Sequence, residues 1–396
     1  MRRNAVLFVA ISVLSGFGST AMSLVAGIWI LDLTGSASRA ALAGLCVYAP
    51  QLIGPWLGGL LDRVPRRPLL IATNLVLAAV LLSLLTVHSP ARTWLIFAVA
   101  LAYGISYVLL DAGESALLPA ALPANGLGDV NGWRSSAQEG MKLVAPLAGA
   151  GLYAWHGGPA VAVLSAAMPV VVAVLYAALR LTAPPATGPG ARPGRSLRAG
   201  LAALAGERVL RVTVWLAALS IAVSGFATAA QYEVVTGELG LAATFLGVLL
   251  SAQGAGSIAG GLVVGRLLAG PGGPAVGVIG TALFAAGLVA RCLPWWPALV
   301  AGAVIGGVGL PWTLVAAVTA VQTRTPPELL GRVAATANTV MFAPTALAIP
   351  LGAAAVHVGA RPTLLAGAAV CLGAAGVAVR SSRRGEPSVA SVHIGG

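Results

Sequence analysis

Gly58-Gly59-Leu60-Leu61-Asp62-Arg63 and Gly261-Leu262-Val263-Val264-Gly265-Arg266 are degenerate copies of one pattern. The shift that lays Gly58 on Gly261 and Arg63 on Arg266 also lays Gly44 on Gly247, Gly128-Asp129-Val130 on Gly331-Arg332-Val333, and Gly149 on Gly352. Thr34-Gly35 meets Thr236-Gly237 if one residue of slip is allowed. A shift that holds over such distances divides the chain into two related halves. In an apolar chain a duplication of this kind marks many transporters, because two similar bundles rocking about a shared interface open a central cavity to either side of a membrane.

The 396 residues are 58% hydrophobic and 9% charged, with a mean hydropathy of +0.93. Charged groups are too few to clothe a water-soluble surface of that size, so the chain belongs in a bilayer. Each crossing of a ~30 Å hydrocarbon core needs roughly 20 apolar residues as a helix. Twelve runs meet that need: 4–31, 40–61, 68–87, 93–118, 130–155 and 159–179 in the first half, then 209–232, 243–264, 275–293, 296–321, 333–357 and 361–379. The expected fold is an all-α membrane protein of twelve transmembrane helices in two pseudo-symmetric six-helix bundles. Residues 1–181 form the first bundle and 208–384 the second. The Pro- and Gly-rich 182–207 is a cytoplasmic linker whose 196–207 stretch makes a short surface helix, and 385–396 is a mobile tail.

A formal charge of +12 invites a nucleic-acid reading, yet the arginines are scattered over short interhelical loops rather than gathered on one module. Placing both termini in the cytoplasm leaves only Arg39, Arg92, Arg291 and Arg361 on the other side, as the positive-inside rule requires. The N-terminal Met1-Arg2-Arg3 and its apolar run are read as an uncleaved first helix, since the run exceeds a signal-peptide core. Cys46, Cys292 and Cys371 have no metal-ligand spacing and sit within or at the ends of apolar runs, so they read as packing residues. Prolines at 50, 55, 146, 169, 311, 344 and 350 interrupt predicted spans, where curvature for packing and a hinge role are equally open.

The stretch Gly58 to Arg67, continued as Val64-Pro65-Arg66-Arg67, resembles the loop signature of the major facilitator superfamily: glycine, three residues, aspartate, arginine, two residues, arginine, arginine. Physically, Gly58 lets two helices approach, and Arg63, Arg66 and Arg67 suit a helix C-terminus in the cytoplasm. Asp62 does not suit that negative helix end. The resemblance implies its partner, the N-terminal end of the eleventh helix near Gly331 and Arg332, and a gating role in which the contact latches the cytoplasmic side shut. Gly265 replaces the aspartate in the second copy, so only the first latch is ionic. Trp29-Ile30-Leu31-Asp32-Leu33-Thr34-Gly35-Ser36-Ala37 and Leu118-Pro119-Ala120-Ala121-Leu122-Pro123 are similar to the macrolide-efflux and siderophore-exporter branch of that superfamily. Ala145-Pro146-Leu147-Ala148-Gly149-Ala150 resembles the signature of its drug:proton antiporters, with alanines where two glycines are usual.

Lys142, the only lysine, lies inside the fifth run three residues after Glu139, and Asp111 and Glu114 share that spacing in the fourth. Intramembrane charges are costly and mark functional sites or fixed ion pairs. Asp111, Glu114, Arg134, Glu139 and Lys142 are the candidates for proton coupling, with a static ion-pair network as the equal alternative. The second half offers neutral groups instead: Ser224, Thr228 and Gln231 at helical spacing, Gln253, and Asn338. With Ser19, Ser23 and Gln51 they either line a cavity with apolar walls or simply pack helices. No metal cluster, catalytic constellation or phosphate loop is present in the sequence, so the chain is not expected to be an enzyme or an ATP-driven pump and needs no cofactor.

The expectation is a monomeric secondary transporter in the bacterial inner (plasma) membrane. It exports a small amphipathic organic compound, such as a drug, antibiotic or siderophore, by alternating access in exchange for protons. An importer, or a membrane sensor that has lost transport, is the alternative.

Overall fold

The computed structural model describes residues 2–53, 64–122, 127–181, 193–270 and 272–383, and every regular element among them is a helix. In lipid the backbone has no water to bond, so an apolar chain satisfies its amides within helices. Helix α1 (Arg2–Thr34) ends at Gly35, which adopts φ 63° and donates its N–H to the Leu31 carbonyl at 2.7 Å. That left-handed stop is open to glycine. Ser36 then caps α2 (Ala37–Tyr48), which tightens into a turn over Ala49–Ile53. Helices α3 (Arg66–Leu82) and α4 (Thr93–Ala121) follow.

The stretch Leu127–Ala178 is two helices joined at Gly157, α5 (127–156) and α6 (158–178). Gly157 sits at φ 72°, ψ −175°, which reverses the chain. Gly158 packs against the ring of Trp29 so closely that no side chain fits. The two glycines thus have different duties, one to turn and one to dock the turn on α1. Reversal is evident from Tyr176 of α6 meeting Glu114 at the same level as Arg134 of α5.

After α7 (Pro193–Gly206) come α8 (Arg208–Phe226), the short α9 (Thr228–Glu233) in line with it, and α10 (Phe245–Ala269). Helices α11 (Gly273–Ala290), α12 (Trp296–Arg324), α13 (Pro327–Ala355) and α14 (Ala360–Arg383) complete the fold. Among the described residues ten helices are long and apolar enough to cross a membrane, one being the 50-residue Asp129–Ala178 that turns at Gly157. Helix α2, where the sequence predicts the second crossing, is described over 12 residues and its turn to Ile53; the remainder of that run, from Gly54, lies outside the described residues.

Burial is distributed unequally along the helices. At the end holding the first turns of α1, Phe8, Ile11, Leu70, Leu117, Val172 and Tyr176 form a core from the first half only. Level with it, Leu210, Val214, Ala317, Val321, Val333 and Met341 form one from the second half only. At the far end a single core runs through both, from Trp29, Leu81 and Val161 to Tyr232, Leu246, Phe284 and Leu364.

Direct contacts follow the same division. Ser38 of α2 donates to the Ala353 carbonyl of α13 at 2.7 Å and lies 3.3 Å from His357 Nε2. The Tyr232 hydroxyl fills the space beside Gly27 of α1. Helix α10 lies so close to α5 that a Cβ on Gly247 would stand 2.6 Å from the Ala150 Cβ, and one on Gly254 2.8 Å from the Lys142 carbonyl. Further along α10, Gly261 and Gly265 have nothing within 4 Å of that position. The halves are therefore joined at the far end and separate toward the end that carries the start of α1.

Candidate functional site

Two polar sites stand out. The first ties four helices of the first half together near the start of α1. Glu114 of α4 accepts from Arg134 of α5 on one carboxylate oxygen and from the Tyr176 hydroxyl of α6 on the other. Arg134 Nε donates to Ser12 Oγ of α1 at 3.1 Å, and another of its nitrogens to Asn131 at 3.4 Å. The Arg134 and Glu114 side chains are 14% and 13% exposed. A buried pair whose remaining donors and acceptors are also bonded is a stiff cross-link.

Of the other charged candidates, Asp111 lies within electrostatic reach of that pair and Glu139 and Lys142 form a second one. Glu139 and Lys142 pair with each other at 2.6 Å, with side chains 42% and 54% exposed. Their spacing with Pro146 and Ala150 places them on the face of α5 that meets α10, below the last close contact at Gly254. Asp111 is exposed, one turn before Glu114. Tyr176, which completes the Glu114 network, escapes sequence reading because it sits in an otherwise apolar run.

Of the gating residues, Gly58, Asp62 and Arg63 lie outside the described residues, as does the side chain of Arg332. Arg66 is buried at 8% exposure. Arg67 donates to the carbonyls of Tyr176, at 3.0 Å, and Ala177, so it caps the C-terminus of α6. Arg3 reaches Ala178 and Asn4 reaches Ala121 and Arg180 at the same end. Cationic and amide donors there satisfy the last carbonyls and match the helix dipole.

The second site is a cavity of about 130 Å³ at the edge of the shared core. Ser224 of α8, Thr228 and Gln231 of α9 and Gln253 of α10 line it together, with Leu24 of α1, Leu250, Phe284 and Leu288 as apolar wall. Three of these four predicted cavity residues share a wall because 224, 228 and 231 repeat at helical spacing, and Gln253 reaches the cavity from α10. Ser23 lines a separate cavity of about 120 Å³ in the first half, with Gly44, Tyr48 and Tyr103. Ser19 bonds back to the Gly16 carbonyl at 3.3 Å. Gln51 is half-buried in the turn after α2. Asn338 is exposed on the face of α13 that carries Ile349, the neighbour of Gly44 across the two halves.

Arg291 completes the lining of the second-half cavity. Sequence reasoning assigns it to a far-side loop as a topological charge; in the fold it is 5% exposed. It donates to Gln231 Oε1 at 2.9 Å. Its side chain lies along α12, where a Cβ on Gly302 would meet its Cγ at 3.0 Å and one on Gly306 its Nη2 at 3.4 Å. The Gly302 and Gly306 pair, four residues apart, is the sequence signal for a groove that admits a large side chain.

The chain is a multi-pass, all-helical membrane protein with a polar-lined cavity in its second half and another cavity in its first. A Major Facilitator Superfamily model matches residues 7–232, more than half of the chain. The chain belongs to the Major Facilitator Superfamily, whose members are transporters of small molecules, not enzymes. It is 24% identical over 156 residues to macrolide efflux protein A of Streptococcus pyogenes, a match covering 39% of this chain and 38% of that protein. The matched stretch thus spans well under half the length of that relative. A POT family transporter in complex with a thioalcohol-conjugated peptide has the same fold, with a TM-score of 0.77 at 12% identity over 96% of each chain. So does a bacterial homolog of the human lysosomal transporter Spinster in an inward-facing and occupied conformation, with a TM-score of 0.69 at 14% identity over 98% of each chain.

Proposed function

We propose that this chain is a secondary active exporter of small amphipathic organic compounds that works by alternating access. Twelve crossings follow if α5 and α6 count separately and the predicted run 40–61 is counted as the second, giving two six-helix bundles on either side of the linker. The observation that carries the reading is the unequal core: one shared apolar core at the far end, and two separate cores at the end where α1 begins. Two rigid bodies joined at one end only have a ready alternative, joined at the other. With both termini in the cytoplasm of a bacterial cell, as the arginine distribution favours, the present state opens inward. Efflux is supported by the resemblance to macrolide efflux protein A, and a monomer suffices for the cycle.

Proton exchange is assigned to Glu139 and Asp111, the exposed carboxylates, with Lys142 as the partner that Glu139 releases on protonation. The Glu114–Arg134 pair serves as frame. The gating residues Gly58, Asp62, Arg63, Arg66 and Arg67 take the latch role that the family motif implies.

The test is accumulation of anionic, neutral and cationic amphipathic compounds in cells with and without the protein, and in inverted vesicles under an imposed pH gradient. At least one class should be depleted from cells and concentrated in vesicles. Glu139→Gln and Asp111→Asn should largely abolish gradient-driven transport while leaving gradient-independent exchange, because an amide cannot take up or release the coupled proton. Unchanged coupling in both variants rejects the proton assignment, and higher accumulation in protein-bearing cells identifies an importer. Reporter fusions at both ends should report the same, cytoplasmic, face. Opposite faces would remove the even number of crossings.

A further inference from the structure

Arg291 is a buried cation with no counter-ion among the described residues: the pairs Glu114–Arg134, Glu139–Lys142 and Glu238–Arg361 do not include it, and no described carboxylate lies within 4.0 Å of its guanidinium. Glu238, at the same end of the molecule, is committed to Arg361 at 2.8 Å. Gln231 satisfies Nη1, while the buried Nε has no hydrogen-bond partner. Nε and Nη2 form one edge of the planar guanidinium, and neither bonds to the described residues. An uncompensated buried ion costs several kcal/mol, a cost that a site retains only when the charge has a use.

The unused edge of Arg291 belongs to a residue lining a cavity whose other polar groups, Gln231, Gln253, Thr228 and Ser224, are neutral. Two parallel N–H donors in a rigid plane match the two oxygens of a carboxylate, a fit that a point-like ammonium ligand or a neutral amide lacks. At about 130 Å³ the space approaches that of a cavity that accepts benzene. Leu24 and Phe284 supply the apolar wall that a ring or short chain would contact.

We propose that this cavity binds the carboxylate of the transported compound, with Arg291 as its ion-pair partner and an aromatic or short aliphatic body against Leu24 and Phe284. The proposal rests on the transporter reading and narrows its substrate class to organic carboxylates. Gln231 acts by positioning Arg291: its carbonyl holds Nη1 and leaves the Nε–Nη2 edge, which lies along Gly306 of α12, without a bond of its own to the described residues.

The experiment is thermal unfolding of the purified full-length protein in detergent, titrated with benzoate, benzamide or benzylamine at constant ionic strength. Benzoate should raise the melting temperature and bind about tenfold or more tightly than its neutral isostere benzamide, as expected when the acceptor becomes charged. Benzylamine should give no shift. Arg291→Gln should erase the preference for benzoate, and Arg291→Lys should keep it in weakened form. Arg291→Gln removes a charge that has no partner, so the fold has no counter-ion left stranded. The wild-type comparison of benzoate with benzamide also stands without any variant. Equal shifts by those two compounds, or a benzoate shift preserved in Arg291→Gln, would overturn the proposal. The readout is binding, so its failure is distinct from failure of transport, which the accumulation measurements decide.

Discussion

Gly254→Leu should open the far end of the molecule and abolish net transport. A Cβ at this position would stand 2.8 Å from the Lys142 carbonyl and 3.1 Å from the Leu143 Cα, and both are backbone. Backbone in a helix cannot swing aside as a side-chain tip can, so α10 must retreat from α5. Overpacking of this kind costs about 1–3 kcal/mol. That shifts a two-state equilibrium roughly 5- to 150-fold. Gly261→Leu is the paired control. It lies on the same face of α10 by its seven-residue spacing from Gly254, but a Cβ there has nothing within 4 Å. It should leave the present state intact and block its counterpart, in which α10 closes on α5 beside Glu139. Both variants lose transport, from opposite sides. In a background lacking Cys46, Cys292 and Cys371, a cysteine at Thr228 should react with an impermeant maleimide from the far side in Gly254→Leu and from the terminal side in Gly261→Leu. Labelling from the same side in both would reject the two-state scheme.

Arg134→Leu should destabilise the protein by about 3 kcal/mol or more, the cost of removing one member of a buried pair. Glu114 would keep the Tyr176 hydroxyl but lose its counter-ion, and the Ser12 contact between α1 and α5 would go with it. Glu114→Gln together with Arg134→Gln should unfold at a higher temperature than Arg134→Leu alone, because no charge is then left buried. Glu139→Gln, at an exposed pair, should alter the melting temperature little, since such pairs are worth about 0–1 kcal/mol. Thermal unfolding in detergent measures all three. If Arg134→Leu melts with the wild type, the network is not the frame of the first half.

Much of this was legible in the chain itself because glycine and helical spacing are local signals. Gly44 and Gly247, paired by the shift that lays Gly58 on Gly261, each prove to be a point of contact between the halves. Ser224, Thr228 and Gln231 repeat at a spacing that puts them on one wall, and the cavity has that wall. Arg291 was not legible. An arginine just after an apolar run reads as a loop charge, and its burial depends on Gly302 and Gly306 of the next helix, whose groove appears only when α11 and α12 pack. Tyr176 was hidden for a similar reason: its hydroxyl matters because the reversal at Gly157 returns it to Glu114. Gly58, Asp62 and Arg63 of the latch are named by their motif alone, since they lie outside the described residues.

The central claim is that closure alternates between the two ends of one pair of rigid bodies. Electron–electron spin-label distances in proteoliposomes test it most directly, with one label pair at Trp155→Cys and Leu293→Cys on the exposed far end and another at Arg180→Cys and Arg324→Cys at the other. Introducing Gly254→Leu should lengthen the first distance and shorten the second in the same molecules. A far-end distance that lengthens with no shortening at the opposite end, or no change in either, would contradict it.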